Sequence, residues 1–301
     1  MSQKQNDKIT ELLERVEEAV QQSKYEDAAR FLRRIAAYSG LSRDMNKFRI
    51  FMAKAGDLYR KAAEDLWKKG RKLKAALLFI EATKCYNTSG SYDKASACEE
   101  MIYQYYFSMR RIKICSFEGS AQDLKHIGDF LRSKGDLETA EDCYCWAAEK
   151  AAKEGKFALS GGLYRDAGDC SWHLGNTGRT AEEYSKAAEK YIIAKEYFEA
   201  AWHYNISGFL FILDGKFKEA SEMARKAGAA CLEGKIPVIL DRMSRLCGYL
   251  SKGYIYDAER EWSNLRRKMK ANYVQLIERC FMKVRAALKD RGILQNINSR
   301  H

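Results

Sequence analysis

The stretch Gly128–Ala147, GDFLRSKGDLETAEDCYCWA, decides the fold, because its punctuation returns 40 residues later in Gly168–Ala187 and again in Gly208–Ala227. Gly128, Gly168, Gly208 and Gly248 mark one position, Gly135, Gly175 and Gly215 a second, and Ala147, Ala187 and Ala227 a third. Self-similarity at one fixed period identifies a repeat array. A small residue at one place in each unit is what close helix contact requires, since only Gly or Ala lets two backbones approach with no side chain between them. Function in such an array is expected to reside in an extended surface, not in a pocket.

Along the whole chain, a turn-like spot followed by an aromatic or leucine and then alanine recurs, ending at Ala28, Ala95, Ala140, Ala200, Ala220 and Ala258. Each marks the entry to a helix. Between them apolar residues return at spacings of three and four, as in Tyr184, Ala187, Ala188 and Tyr191, or Leu124, Ile127 and Leu131. The only proline in the chain is Pro237, and so sparse a helix breaker points to nearly continuous helix. The fold class expected is all-α: a right-handed solenoid of about fourteen helices paired as antiparallel hairpins. Residues 1–250 form the repeat array in this reading, and 251–301 a basic helical cap packed on it. Two loops are expected, YSGLSRDMNKF at Tyr38–Phe48 and the excess residues at Arg111–Ser120, whose Ile112, Ile114 and Phe117 would tuck against the array.

Gly208, Phe211, Gly215, Ala220 and Ala227 fall at the small, aromatic, turn, small and small positions of a tetratricopeptide repeat, which these units resemble. Gly128, Leu131, Gly135, Ala140, Tyr144 and Ala147 do the same, and Gly168, Gly175, Tyr184 and Ala187 match after one inserted residue near Thr180. The closing proline of that motif is missing, and the unit is 40 residues long, against about 34 in the standard repeat.

The nine cysteines are odd in number and scattered through helical segments, where they read as buried small hydrophobes of a reduced compartment. There is no C-x-x-C pair, and His126, His173, His203 and His301 have no ligand spacing, so neither a metal nor a catalytic site is expected. The phosphate-binding pattern G-x-x-x-x-G-K-[ST] does not occur, and no cofactor is expected. Gly161-Gly162 sits inside a helical pattern, where each glycine costs about 1 kcal/mol relative to alanine and requires close packing to offset it. The polar start MSQKQNDKITELLERV is neither a signal nor a transit peptide, and no stretch approaches the roughly 18 apolar residues of a membrane span. A cytoplasmic protein, at most peripheral to a membrane, is expected.

Net charge is +12, and from Arg260 to His301 there are eleven Lys and Arg against three Asp and Glu. Lys68, Lys69, Arg71, Lys72 and Lys74 form a second cluster with no acid among them, and Arg110, Arg111 and Lys113 a third. Such runs are either solvated helix faces or contacts for an acidic protein or an anionic lipid. Counterion release gives a chain this basic nonspecific affinity for nucleic acid, but no zinc finger, RNA-recognition signature or helix-turn-helix accompanies it.

Helix number, a unit longer than the standard repeat and a non-repeating helical end together resemble the soluble NSF attachment protein family. The end segment carries the likeness in order and spacing: Met243–Leu250, then Tyr256–Trp262, then Gln275–Val284, with an apolar face through Leu276, Cys280, Val284 and Leu288. The resemblance implies a non-enzymatic adaptor. Several copies would wrap a coiled-coil SNARE bundle through a concave basic face and present their C-terminal ends to a hexameric AAA ATPase that disassembles it. If the chain is such an adaptor, the basic clusters Lys68, Lys69, Arg71, Lys72, Lys74, Arg110, Arg111 and Lys113 are the expected partner contacts. Coupling to the motor falls to Arg266, Arg267, Lys268, Lys270, Arg279, Lys283 and Arg285, with Ile293 and Leu294 as the apolar contact. The family ends in an acidic tail whereas this chain ends ILQNINSRH, so charge complementarity there would be inverted. Leu41 and Phe48 stand in the place of the family's membrane loop. Alone, the chain is expected to be a monomer. The alternative is a generic tetratricopeptide scaffold that holds short peptides and acts as a regulator.

Overall fold

The computed structural model describes residues 3–109 and 119–290, and among them every regular element is a helix. The chain divides into two compact units, 1–119 and 120–301. In the first, α1 (Gln3–Gln21), α2 (Tyr25–Leu41), α3 (Met45–Lys68), α4 (Lys72–Ser89) and α5 (Tyr92–Met109) each pack on the next. The expected loop at Tyr38–Phe48 is corrected to a three-residue turn, since α2 continues to Leu41 and α3 starts at Met45, capped by the Asp44 carboxylate accepting from the Lys47 amide. The other expected loop, with Ile112, Ile114 and Phe117, lies outside the described residues, as do Cys115 and His301.

The second unit explains the period of 40. It runs α6 (Ala121–Ser133), α7 (Leu137–Lys153), α8 (Phe157–His173), α9 (Thr177–Ile193), α10 (Tyr197–Leu213), α11 (Phe217–Gly234), α12 (Val238–Lys252), α13 (Ile255–Leu265) and α14 (Ala271–Asp290). From α7 to α10 each helix has 17 residues and each turn three, so a turn recurs every 20 and a hairpin every 40. The middle residue of the turn takes the left-handed conformation at Gly135, Gly155, Gly175, Lys195 and Gly215, and after α11 the first turn residue, Lys235, does so. No residue is inserted in the Gly168 unit: Thr180 stands where Ala140 and Ala220 stand, fully buried, its hydroxyl donating to the Asn176 carbonyl at 2.8 Å. Ala140, Ala147, Ala148, Ala187, Ala188, Ala220 and Ala227 are fully buried, which lets successive helices pack closely.

Two of the four recurring glycines, Gly128 and Gly168, make room for a ring, whereas a Cβ on Gly208 would meet the Cys247 thiol at 2.6 Å and one on Gly248 only Ala224 at 3.7 Å. A Cβ on Gly128 would lie 2.9 Å from the Tyr144 ring, and one on Gly168 2.6 Å from the Tyr184 ring. In the first unit Gly56 does the same for Tyr86 at 2.7 Å. In all three cases the residue after the glycine is an aspartate that accepts the tyrosine hydroxyl: Tyr86 to Asp57 at 2.9 Å, Tyr144 to Asp129 at 2.8 Å and Tyr184 to Asp169 at 2.6 Å. Each hairpin is thereby fixed by a ring inserted beside a glycine and held at its tip by a charged acceptor. Of the Gly161-Gly162 pair, Gly161 receives the Tyr191 ring at 2.9 Å, while Gly162 has only ordinary contact at 3.7 Å.

The last helix folds back across the array. α14 packs on α10 and α12, burying Leu276, Ile277, Cys280, Phe281 and Val284. The Cys280 thiol donates to the Phe209 carbonyl at 3.2 Å, and Tyr273 meets Trp202 edge-on at 4.9 Å.

Candidate protein-binding surfaces

Lys68, Lys69, Arg71, Lys72 and Lys74 are all exposed and are brought together by the turn from α3 to α4, where Gly70 adopts positive φ. Their place is therefore a hairpin tip. Lys74 pairs with Glu26 at 3.3 Å, and Lys72 lies over the Trp67 ring at 5.5 Å. Lys68, Lys69 and Arg71 form no ion pair among the described residues. Arg110, Arg111 and Lys113 lie outside the described residues.

The second basic group sits between α13 and α14. A short 3-10 turn carries Arg266, Arg267 and Lys268, Lys270 leads into α14, and Arg279, Lys283 and Arg285 project from that helix, all exposed. Two of the seven are engaged: Arg266 with Glu278 at 2.7 Å and Arg285 with Glu259 at 2.5 Å. The other five form no ion pair among the described residues. Such exposed pairs contribute at most about 1 kcal/mol each to stability, so the side chains remain available for exchange with a partner. Ile293 and Leu294 fall outside the described residues.

Leu41 is 76% exposed at the α2–α3 turn, with Met45 and Ile50 also exposed and Arg43, Lys47 and Arg49 around them. Phe48 differs from Leu41. It is only half-exposed, and its ring closes on Gly40 at 3.3 Å from an ideal Cβ. Met45 and Ile50 are the apolar residues that the sequence reading left out; both belong to the exposed side of the first turns of α3, which the loop expectation concealed.

Ionisable groups are also enclosed within the fold. His203 is buried between the Tyr184 and Tyr191 rings at 5.6 and 5.4 Å, and its Nδ1 is 2.7 Å from the Glu199 carbonyl. Burial pushes its pKa below the usual histidine range. Burial likewise raises the thiols of Cys85, Cys170 and Cys231 to about 11 and that of Cys98 to about 12, so they are neutral at physiological pH. A cavity of about 420 Å³ opens where α14 meets α8 and α10, walled by Asp169, Trp172, Trp202, His203 and Tyr273. Its carboxylate is taken up in part by Tyr184. Among the described residues no group of three His, Cys, Asp or Glu is placed to hold a metal, and no helix is long and apolar enough to cross a membrane.

These features define a helical-hairpin repeat protein whose charged tips and edges form extended surfaces. The family model described as soluble NSF attachment protein, SNAP, matches residues 3–192, well over half of the 301 residues. The chain belongs to the soluble NSF attachment protein family. The match stops at 192, within α9, so α10 to α14 lie beyond it. No curated protein matches the chain. Among solved structures, the crystal structure of BtubC (BKLC) from P. vanneervenii aligns over 81% of this chain and 92% of its own, with 15% identity and a TM-score of 0.36. A circular tandem repeat protein with novel repeat topology and enhanced subunit contact surfaces aligns over 94% of this chain and 76% of its own, again at 15% identity, with a TM-score of 0.33.

Proposed function

We propose that the protein is a non-enzymatic adaptor that binds a coiled-coil, SNARE-like bundle and couples it to an NSF-like AAA ATPase for disassembly in membrane trafficking. The observation that carries this reading is membership of the soluble NSF attachment protein family over residues 3–192. Lys68, Lys69, Arg71, Lys72 and Lys74 are assigned to the bundle, with Arg110, Arg111 and Lys113 alongside. Their charge suits the acidic surface of a helical bundle and would act mainly on encounter rate and register. Arg266, Arg267, Lys268, Lys270, Arg279, Lys283 and Arg285, with Ile293 and Leu294, are assigned to the motor. A basic group there requires an acidic surface on the ATPase.

The exposed Leu41, with Phe48 beside it and Arg43, Lys47 and Arg49 around it, is assigned to peripheral contact with an anionic membrane, an apolar side chain inserting while cations meet headgroups. The chain would then act in the cytoplasm at a membrane surface. The test is a quadruple reversal of Arg266, Arg267, Lys268 and Lys270 to Glu. It is expected to leave far-UV helicity and bundle binding unchanged while abolishing ATPase recruitment in a pull-down with nonhydrolysable ATP. Full recruitment by the reversed protein would reject the assignment.

A further inference from the structure

The three tyrosine–aspartate pairs differ in what else the carboxylate holds. Asp57 takes the Lys94 ammonium at 2.8 Å, and that lysine lies over the Tyr86 ring at 5.6 Å. Asp129 takes Lys125, one turn earlier on α6, also at 2.8 Å. In both cases the aspartate beside the inserted ring is the seat of a lysine ammonium. Asp169 accepts the Tyr184 hydroxyl on one oxygen and forms no ion pair among the described residues.

The neighbouring cations are withheld from it. Arg165 stands 40 residues after Lys125, at the same position of the repeat, but its guanidinium donates to Asp166, from Nε at 3.3 Å and from Nη2 at 3.0 Å. His203 is kept neutral at pH 7 by burial and supplies no charge either.

Asp169 instead lines the cavity of about 420 Å³ between α8, α10 and α14, a volume within the range of small-molecule sites. The walls are aromatic and accessible. Trp172 is 42% exposed, and Trp202 and Tyr273 are half-buried, their ring planes at 90° so that they form a corner. A carboxylate with a spare oxygen among indole and phenol rings suits a cation that carries carbon, because ring faces attract positive charge and cover an alkyl chain. A bare metal ion would require more oxygen ligands than one carboxylate supplies, and no metal-holding group occurs among the described residues.

We propose that this cavity binds an alkylammonium group, carried by a free aliphatic amine or by a lysine side chain of a bound protein. The ammonium meets Asp169, and the carbon chain lies against Trp172, Trp202 and Tyr273. The site shares no residue with the surfaces assigned above to the bundle, the motor and the membrane.

Two probes are titrated into the full chain at pH 7.5 by calorimetry. One is n-butylammonium chloride, with 1-butanol as its neutral counterpart; the other is a blocked glycine-lysine-glycine peptide, with norleucine replacing lysine in its counterpart. The chain carries +12 and repels cations in general, so a saturable isotherm reports the local site. At least one ammonium probe is expected to bind at least about tenfold more tightly than its neutral counterpart. Asp169→Asn, which keeps an oxygen acceptor for Tyr184, is expected to weaken that binding at least about tenfold. Binding of butylammonium identifies a free amine, binding of the peptide alone identifies a protein lysine, and both support the site. No saturable binding of either probe, equal binding of the neutral counterparts, or unchanged affinity in Asp169→Asn would overturn the proposal. Should Asp169→Asn lose helicity, Trp172→Ala at the cavity edge decides: affinity is expected to fall at least about threefold, and unchanged affinity overturns the site.

Discussion

Gly161→Ala and Gly162→Ala, adjacent in α8, are expected to move stability in opposite directions. Both residues sit inside a helix, where alanine is favoured over glycine by about 1 kcal/mol. At Gly162 the nearest atom to a new Cβ is the Tyr191 hydroxyl at 3.7 Å, an ordinary contact, so the whole gain is available. At Gly161 the new Cβ would stand 2.9 Å from two atoms of the Tyr191 ring. That ring is 4% exposed and backed by His203 at 5.4 Å, so it has nowhere to retreat. Overpacking of this kind costs about 1–3 kcal/mol, which cancels or exceeds the gain from helix propensity. The difference between the two variants is the overpacking cost itself, about 1–3 kcal/mol, or about 2–4 °C in thermal midpoint per kcal/mol for a unit of this size. Urea unfolding followed by far-UV circular dichroism measures both. Equal shifts of the same sign would refute the claim that Gly161 is there to seat the Tyr191 ring.

Arg179→Ala leaves Glu141, 2% exposed, with Ser171 at 2.6 Å but without its guanidinium, and is expected to cost about 1–3 kcal/mol; adding Glu141→Gln should recover part of that, and a simple sum of the two losses would contradict the pairing. Acidification should weaken the fold through His203. Its folded pKa lies below the unfolded value of 6.5, so below that pH the unfolded chain takes up a proton that the folded ring refuses. Wild-type stability should therefore fall more between pH 7.5 and 5.5 than that of His203→Gln, and parallel profiles would show that the ring is solvated.

The period of 40 and the turn glycines at 135, 175 and 215 were legible because helix and turn lengths are uniform, and left-handed turn residues select glycine. Lys195 and Lys235 adopt the same backbone conformation without announcing it, which is why the 20-residue half-period is less visible than the full one. Glycine positions could be read, but their partner could not, since Tyr144 and Tyr184 come from a different helix and sequence spacing does not report which ring faces which glycine. The apolar face of α14 follows from its spacing, whereas its docking on α10 and α12 depends on contacts far away in sequence, such as Cys280 with Phe209. Basic runs were equally plain in the sequence. Which of their members are neutralised was not, because Glu26 reaches Lys74 and Glu259 reaches Arg285 only through the fold.

The most direct test of the adaptor reading is to mix the purified protein with a preassembled four-helix SNARE bundle and with the separate, unassembled helices, and to measure complex formation by sedimentation at physiological salt. The account predicts binding to the assembled bundle, several copies per bundle, weakened by reversing Lys68, Lys69, Arg71, Lys72 and Lys74. Binding to neither form, or the same binding with the reversed cluster, would contradict it.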